Sequence, residues 1–241
     1  MRGGMVKNYL IDLLYPRRCP VCQDAAPYGE EICPECRKRL PYIRGPVCLR
    51  CGRPVREGEA LCADCAEIRH DFDAAVSGFL YDDVMREAVA ALKYKGRKEY
   101  GRVLGRLLYA CTEKKLRRFR AEAVVPVPVH AKKKRERGYN QAELIAREVA
   151  EGLKKPLLAD ALIRTKYTKA MKTLSAKARR TNLRSAFEIG PGFVPVRSAL
   201  IVDDIYTTGS TADACAAVLK EAGVKEVFAV TLAVGISTSD L

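Results

Sequence analysis

The hydrophobic pattern changes period several times along the chain, and each change marks an element. Four apolar runs of strand length stand out: Ala74–Leu80 (AAVSGFL), Ala123–Val129 (AVVPVPV), Ala199–Val202 (ALIV) and Glu226–Val234 (EVFAVTLAV). Near-continuous apolar runs of this length fit strands covered on both faces, as in a parallel sheet. Between and after them the apolar spacing is helical, over Val84–Leu92, Tyr100–Arg117, Gln141–Gly152 and Ala212–Ala222. Strands alternating with helices predict an α/β fold with an open parallel sheet over residues 71–241. Gly101 and Gly105 weaken the second helix in isolation but let another element approach closely. Cys111, on that helix's apolar side, and Cys215 are predicted to be buried thiols. Phe193–Arg197 is a connector or short strand, and residues 235–241 are expected to fray.

Two stretches break this pattern. The first is residues 1–70, where large apolar side chains are sparse. Met5–Leu14 carries Lys7 and Asp12 and is too short to span a bilayer; it also lacks the uninterrupted apolar region of a signal peptide. It is predicted to be a short amphipathic helix docked on the protein, which makes a cytoplasmic location the expectation. Eight of the ten cysteines follow as four Cys-x-x-Cys pairs: Cys19/Cys22, Cys33/Cys36, Cys48/Cys51 and Cys62/Cys65. Two cysteines three apart on a tight knuckle aim both sulfurs at one tetrahedral ion, and four thiolates leave no open position. The repeat predicts two tandem zinc ribbons, each with a structural Zn²⁺. The favoured grouping is sequential, Cys19, Cys22, Cys33 and Cys36 at one site and Cys48, Cys51, Cys62 and Cys65 at the other. A cross-braced arrangement, joining the first pair to the third, is the alternative. Metal here substitutes for a core too small to stand alone, so chelation is expected to unfold residues 19–65 and leave the rest folded. His70, just beyond, reads as a surface or packing residue.

The second stretch is Ala161–Phe187. It holds eight cations and no acid: Arg164, Lys166, Lys169, Lys172, Lys177, Arg179, Arg180 and Arg184. It is too long and too polar for an ordinary connection, so a functional lid or a binding hairpin is expected. The whole chain has 43 basic and 29 acidic residues, a formal charge of +14, and residues 71–241 carry +11 of it. Such an excess suits polyanions such as nucleic acid, nucleotides or pyrophosphate; solubility charge is the competing reading.

The strand ends concentrate the chemistry. Asp203 and Asp204 follow ALIV, and Thr207, Thr208, Gly209, Ser210 and Thr211 follow them, just before a helix. A hydroxyl- and glycine-rich turn into a helix N-terminus suits a phosphate, and ligands of open α/β sheets bind beyond the strands' carboxyl ends. Two adjacent acids beside it suggest a diol or a metal ion. At the second strand's end come His130, Lys132, Lys133, Lys134, Arg135, Arg137 and Gly138, a crowding of cations that an anion would relieve. Leu92–Arg97 (LKYKGR) is either a further phosphate contact or a helix end whose cations suit the dipole.

The stretch VDDIYTTGST resembles the phosphoribosyl pyrophosphate (PRPP) motif of type I phosphoribosyltransferases. That resemblance implies a Rossmann-like parallel sheet, PRPP bound with Mg²⁺, ribose hydroxyls on Asp203 and Asp204, and the 5′-phosphate on Thr207–Thr211. It further implies that residues 130–138 form the pyrophosphate loop and that the 161–187 segment closes over the site. With the four cysteine pairs, LKYKG, RGYNQAELIA and RTNLRSAF, nearly the whole chain resembles the competence protein F (ComF) family. Its members join a cysteine-pair zinc module, here residues 1–70, to a phosphoribosyltransferase-like domain. Met171 departs from the glutamine such sequences tend to carry there. The resemblance implies a role in DNA uptake or processing, with single-stranded DNA and DNA-uptake proteins as partners. A non-catalytic single-strand-binding factor and a nucleobase-salvage enzyme are the alternatives; the acceptor of any transfer is open, as is homodimerisation.

Overall fold

The predicted apolar runs become β1 (Ala74–Leu80), β2 (Ala123–Pro126), β5 (Ser198–Tyr206) and β6 (Glu226–Val234). They form one parallel sheet in the order β1–β6–β5–β2. β3 (Leu162–Arg164) and β4 (Phe187–Ile189) pair antiparallel in a separate ribbon at the two ends of the cationic segment. The helices are α1 (Pro34–Lys38), α2 (Ala63–Glu67), α3 (Asp83–Tyr94), α4 (Glu99–Phe119), α5 (Ala131–Arg137), α6 (Gln141–Leu153) and α7 (Ser210–Glu221). This computed structural model describes residues 17–166, 183 and 185–235. The predicted helix Met5–Leu14 and the cations Lys169, Lys172, Lys177, Arg179, Arg180 and Arg184 lie outside those residues. Among the described residues, no helix is long and apolar enough to cross a membrane.

Two boundaries differ from the sequence pattern, for backbone reasons. β2 stops at Pro126, three residues early, because Pro126 and Pro128 lack the N–H a ladder needs. Only Val127 continues the contact, donating to the Val202 carbonyl at 2.9 Å. β5 instead runs four residues past its apolar core. β6 keeps pairing with it through Asp203↔Thr231, Ile205↔Ala233 and Tyr206↔Val234, so the two acids lie within the strand. A third difference concerns residues 130–138, expected as a loop. Residues 131–137 are Ala, Lys, Arg and Glu, all good helix formers, and they coil into α5. The His130 ring accepts from the Lys132 amide at 3.2 Å to cap it, and Gly138 ends it.

Helices cover both faces of the sheet. α4 and α6 lie on one, where Leu104, Leu108, Ile145 and Val149 meet Val76, Leu200, Val202 and Val230. α7 lies on the other, where Cys215, Ala216 and Leu219 meet Ala199, Ile201, Val227 and Ala229. A period of two along β5 therefore sends alternate side chains to opposite cores. The predicted close approach at Gly101 and Gly105 is present: a Cβ at Gly105 would stand 2.9 Å from the Glu148 Cβ and the Ile145 carbonyl of α6. Cys215 is buried as expected. Cys111 is not: the residue is exposed, although its sulfur lies against Gly78 of β1.

The cysteine module closes the β1 edge. The Ala75 amide donates to the Arg50 carbonyl at 2.7 Å, the Leu80 amide to the Pro41 carbonyl at 2.8 Å, and the Tyr42 ring tilts over Phe79. An edge strand whose amides are occupied this way offers little to a neighbouring chain.

Candidate functional site

The cysteines form two groups of four, Cys19, Cys22, Cys33 and Cys36, and Cys48, Cys51, Cys62 and Cys65, with all ligand atoms of a group within 4.8 Å of one another. The sequential grouping is the one the fold adopts. Cys22 and Cys33 sulfurs lie 3.7 Å apart, and Cys51 and Cys62 sulfurs 3.6 Å apart. A tetrahedral zinc with bonds of about 2.3 Å puts its sulfurs roughly 3.8 Å apart, so both groups fit Zn²⁺. Burial first, then the neighbouring sulfurs, push the Cys33 and Cys36 thiols up to about 11 and 12. A divalent ion offsets that crowding and lets all four sulfurs bind as thiolates. These are structural sites with no open position.

At the carboxyl end of β5 the two acids part company. Asp203 lies on the α7 side and lines a cleft with Thr207, Gly209, Ser210, Thr211 and Thr231. Burial, then the charge of Asp204, push its carboxyl up to about 7. Asp204 lies on the α6 side, where it is buried. It accepts from the Lys93 ammonium at 2.9 Å and from the Gln141 side-chain amide at 2.7 Å. Burial opposes the Lys93 charge, but Asp204 and Asp203 together more than offset it and its pKa rises.

The hydroxyl loop turns on Gly209. Its φ of +74° is the left-handed region, and a Cβ there would meet the Tyr206 hydroxyl and the His70 ring. Gly209 is also the N-cap of α7, whose first amides have no side-chain cap. Thr208 and Ser210 hydroxyls are 2.8 Å apart, and the Thr207 and Thr208 side chains are exposed. Free amides, hydroxyls and the helix dipole thus converge on one turn.

Cations gather near Asp203. Arg164, at the end of β3, feels Asp203 even as burial lowers its pKa. Lys133 of α5 is also lowered, by burial first and then by Arg164, Arg137 and Lys93. These four cations therefore share one electrostatic neighbourhood. Arg137 stacks over the Tyr94 ring and donates to the side-chain amide oxygen of Gln141. Lys132, Lys134, Arg135 and Gly138 are exposed on or beside α5, and Lys166 is exposed past β3.

Several contributors escaped the sequence pattern. Gln141 lies inside RGYNQ but reads as an ordinary first residue of a helix. Lys93 belongs to LKYKGR; in the fold it lies in the last turn of α3 and pairs with the buried Asp204 carboxylate, a partner the sequence did not indicate. Arg53, 4% exposed, donates to the Asp64 carboxylate at 2.8 Å and to the Thr207 carbonyl at 2.6 Å. His70 proves to be a packing residue: its Nδ1 sits 3.0 Å from both Asp213 oxygens. Nothing local in the sequence marks Arg53 or Asp213, whose partners lie 154 and 143 residues away.

Residues 10–66 match the double zinc ribbon domain family. Competence protein F of Haemophilus influenzae is 31% identical over 201 residues, which span 81% of this chain and 87% of that protein. Competence protein ComFC of Bacillus subtilis is 29% identical over 80% of each chain. DNA utilization protein YhgH of Escherichia coli K12 is 28% identical over 89% of this chain and 96% of its own. Among solved structures, orotate phosphoribosyltransferase from Aeropyrum pernix aligns at 23% identity over 57% of this chain and 61% of that one, with a TM-score of 0.34. Two four-cysteine centres ahead of a parallel sheet, and a relative above 30% identity matched over 87% of its length, make the conclusion plain: the chain belongs to the competence protein F family.

Proposed function

We propose that this protein binds PRPP with Mg²⁺ at the carboxyl end of β5 and serves DNA uptake or processing. The observation that carries the reading is one cleft with a carboxylate, Asp203, on one side, a hydroxyl-rich helix N-terminus beside it, and the Lys93, Lys133, Arg137 and Arg164 cations in the same neighbourhood. In this reading Thr207–Thr211 receive the 5′-phosphate through amides and hydroxyls. Asp203 accepts from a ribose hydroxyl. Asp204, already engaged by Lys93 and Gln141, fixes those two side chains and through them the floor of the site. The cations of α5 and β3, together with those of the 161–187 segment, receive pyrophosphate. Mg²⁺, carried in with PRPP, would supply further charge neutralisation for the pyrophosphate group, and Asp203 is the carboxylate lining the cleft that could hold it.

Were a transfer to occur, an acceptor would form a bond to ribose C1 as the bond from C1 to pyrophosphate oxygen breaks. The chain's part would be positioning and charge stabilisation. The names of the relatives, competence and DNA utilization proteins, support the DNA-related part. Calorimetric titration with PRPP and Mg²⁺ tests the reading. Wild type should bind, and Asp203→Asn should weaken binding by at least tenfold; no heat at millimolar PRPP overturns it. The excess of exposed cations favours a second reading, single-stranded DNA held by its phosphates. That binding would fall with salt and survive Asp203→Asn.

A further inference from the structure

The two zinc ribbons do not dock alike. The first meets α4 and α6 through Glu31, which pairs with Arg106, itself paired with Glu148. The second reaches the hydroxyl loop. Arg53 follows the ligand Cys51 by two residues, and its acceptor Asp64 lies between the ligands Cys62 and Cys65. Its guanidinium is thus held on the ribbon side by both zinc knuckles, while its other nitrogen holds the Thr207 carbonyl at 2.6 Å. Because the peptide unit is planar and trans, fixing that carbonyl also aims the Thr208 N–H the opposite way, away from the ribbon. The segment after the last ligand adds two further holds. His70 stacks on Phe72 at 4.5 Å, and Phe72 meets Tyr206 edge-on at 6.3 Å. The Asp213 carboxylate, in the first turn of α7, accepts from the Asp71 amide at 3.0 Å and faces the His70 ring. Gly209 is enclosed between Tyr206 and His70.

We propose that Arg53 is a positioning residue that transmits the state of the second zinc centre to the hydroxyl loop, so that anion binding by Thr207–Thr211 depends on metal at Cys48, Cys51, Cys62 and Cys65. The inference rests on reading that loop as the phosphate-binding segment. Its structural half, that the zinc-anchored arginine sets the loop, stands or falls separately.

The test uses the full chain, zinc-loaded, with two readouts: amide hydrogen exchange over residues 205–213 without ligand, and the Kd for PRPP with Mg²⁺ by calorimetry. Arg53→Ala is expected to keep two zinc ions per chain, speed exchange over 205–213 at least tenfold, and weaken PRPP at least tenfold. Arg53→Lys should show a smaller change in the same direction, since an ammonium lacks the planar fork that spans Asp64 and Thr207. Cys62→Ser, which removes a ligand of the second centre, should give one zinc per chain and the same fast exchange. Arg106→Ala, at the first ribbon's anchor, should leave the 205–213 exchange unchanged. If Arg53→Ala does not fold, Asp64→Asn decides, because that side chain is 53% exposed and its loss frees the arginine without opening the core. Exchange and affinity within twofold of wild type in the deciding variant overturn the proposal. Absence of PRPP binding in wild type would instead sink the ligand assignment, and the exchange data would then judge the positioning role alone.

Discussion

Asp203 and Asp204 are neighbours of identical chemistry that β5 turns into different groups. Asp203, pushed up to about 7, keeps its proton over a range where the unfolded chain, at about 3.9, has released it. Its contribution to stability is therefore complete below about pH 4 and declines as pH rises through 7. In ligand-free protein the wild-type melting temperature should carry that downward component between pH 4 and 8. Asp203→Asn should remove it and melt higher than wild type at pH 8. A thermal scan of both proteins across that range checks this, and equal slopes would refute it. Asp204, by contrast, is buried and held by Lys93 and Gln141. Lys93→Met leaves that carboxylate with Gln141 alone, so destabilisation of about 3 kcal/mol is expected. Adding Asp204→Asn should recover part of the loss, which urea unfolding of both single variants and the double variant would measure as a coupling energy.

Elements were legible wherever one local pattern decided them. The apolar runs gave the parallel strands, and helical spacing gave α3, α4, α6 and α7 to within a few residues. What eluded the sequence was set by partners far along the chain. β5 outlasts its apolar core only because β6 pairs with it to Tyr206. α5 is an exception: the resemblance implied a loop at 130–138, and the local propensity of Ala, Lys, Arg and Glu made a helix instead. The site was legible in part: VDDIYTTGST marked Asp203 and the hydroxyl turn, and the cysteine spacing marked both metal centres. Gln141, and the pairing of Lys93 with Asp204, appeared only in the fold. The turn itself depends on Gly209. Gly209→Ala places a Cβ at φ +74° against Tyr206 and His70, so a loss of about 1–3 kcal/mol is expected. Chemical denaturation measures the loss, and tenfold weaker PRPP binding should accompany it.

At the scale of the whole molecule, the zinc module is part of the sheet's boundary as well as a unit of its own. The simple expectation was that chelation unfolds residues 19–65 and spares the rest. The backbone bonds from Ala75 to Arg50 and from Leu80 to Pro41 argue for a wider effect. Stripping zinc should expose the β1 edge, raise hydrogen exchange over residues 74–80, and cause self-association visible by light scattering. Unchanged exchange in β1 after complete zinc removal would show that the ribbon is an independent lobe.

The β1 edge also has a temporal meaning. Ser77 of β1 meets Thr231 of β6, 154 residues downstream. During synthesis β1 leaves the ribosome long before its sheet partner exists, a wait that leaves strands open to wrong pairings. The ribbons, which precede β1 in the chain, have been synthesised by then. A ribbon folded on zinc by then would already offer β1 the Arg50 and Pro41 carbonyls it keeps in the finished protein, and so hold the first strand until the last one arrives.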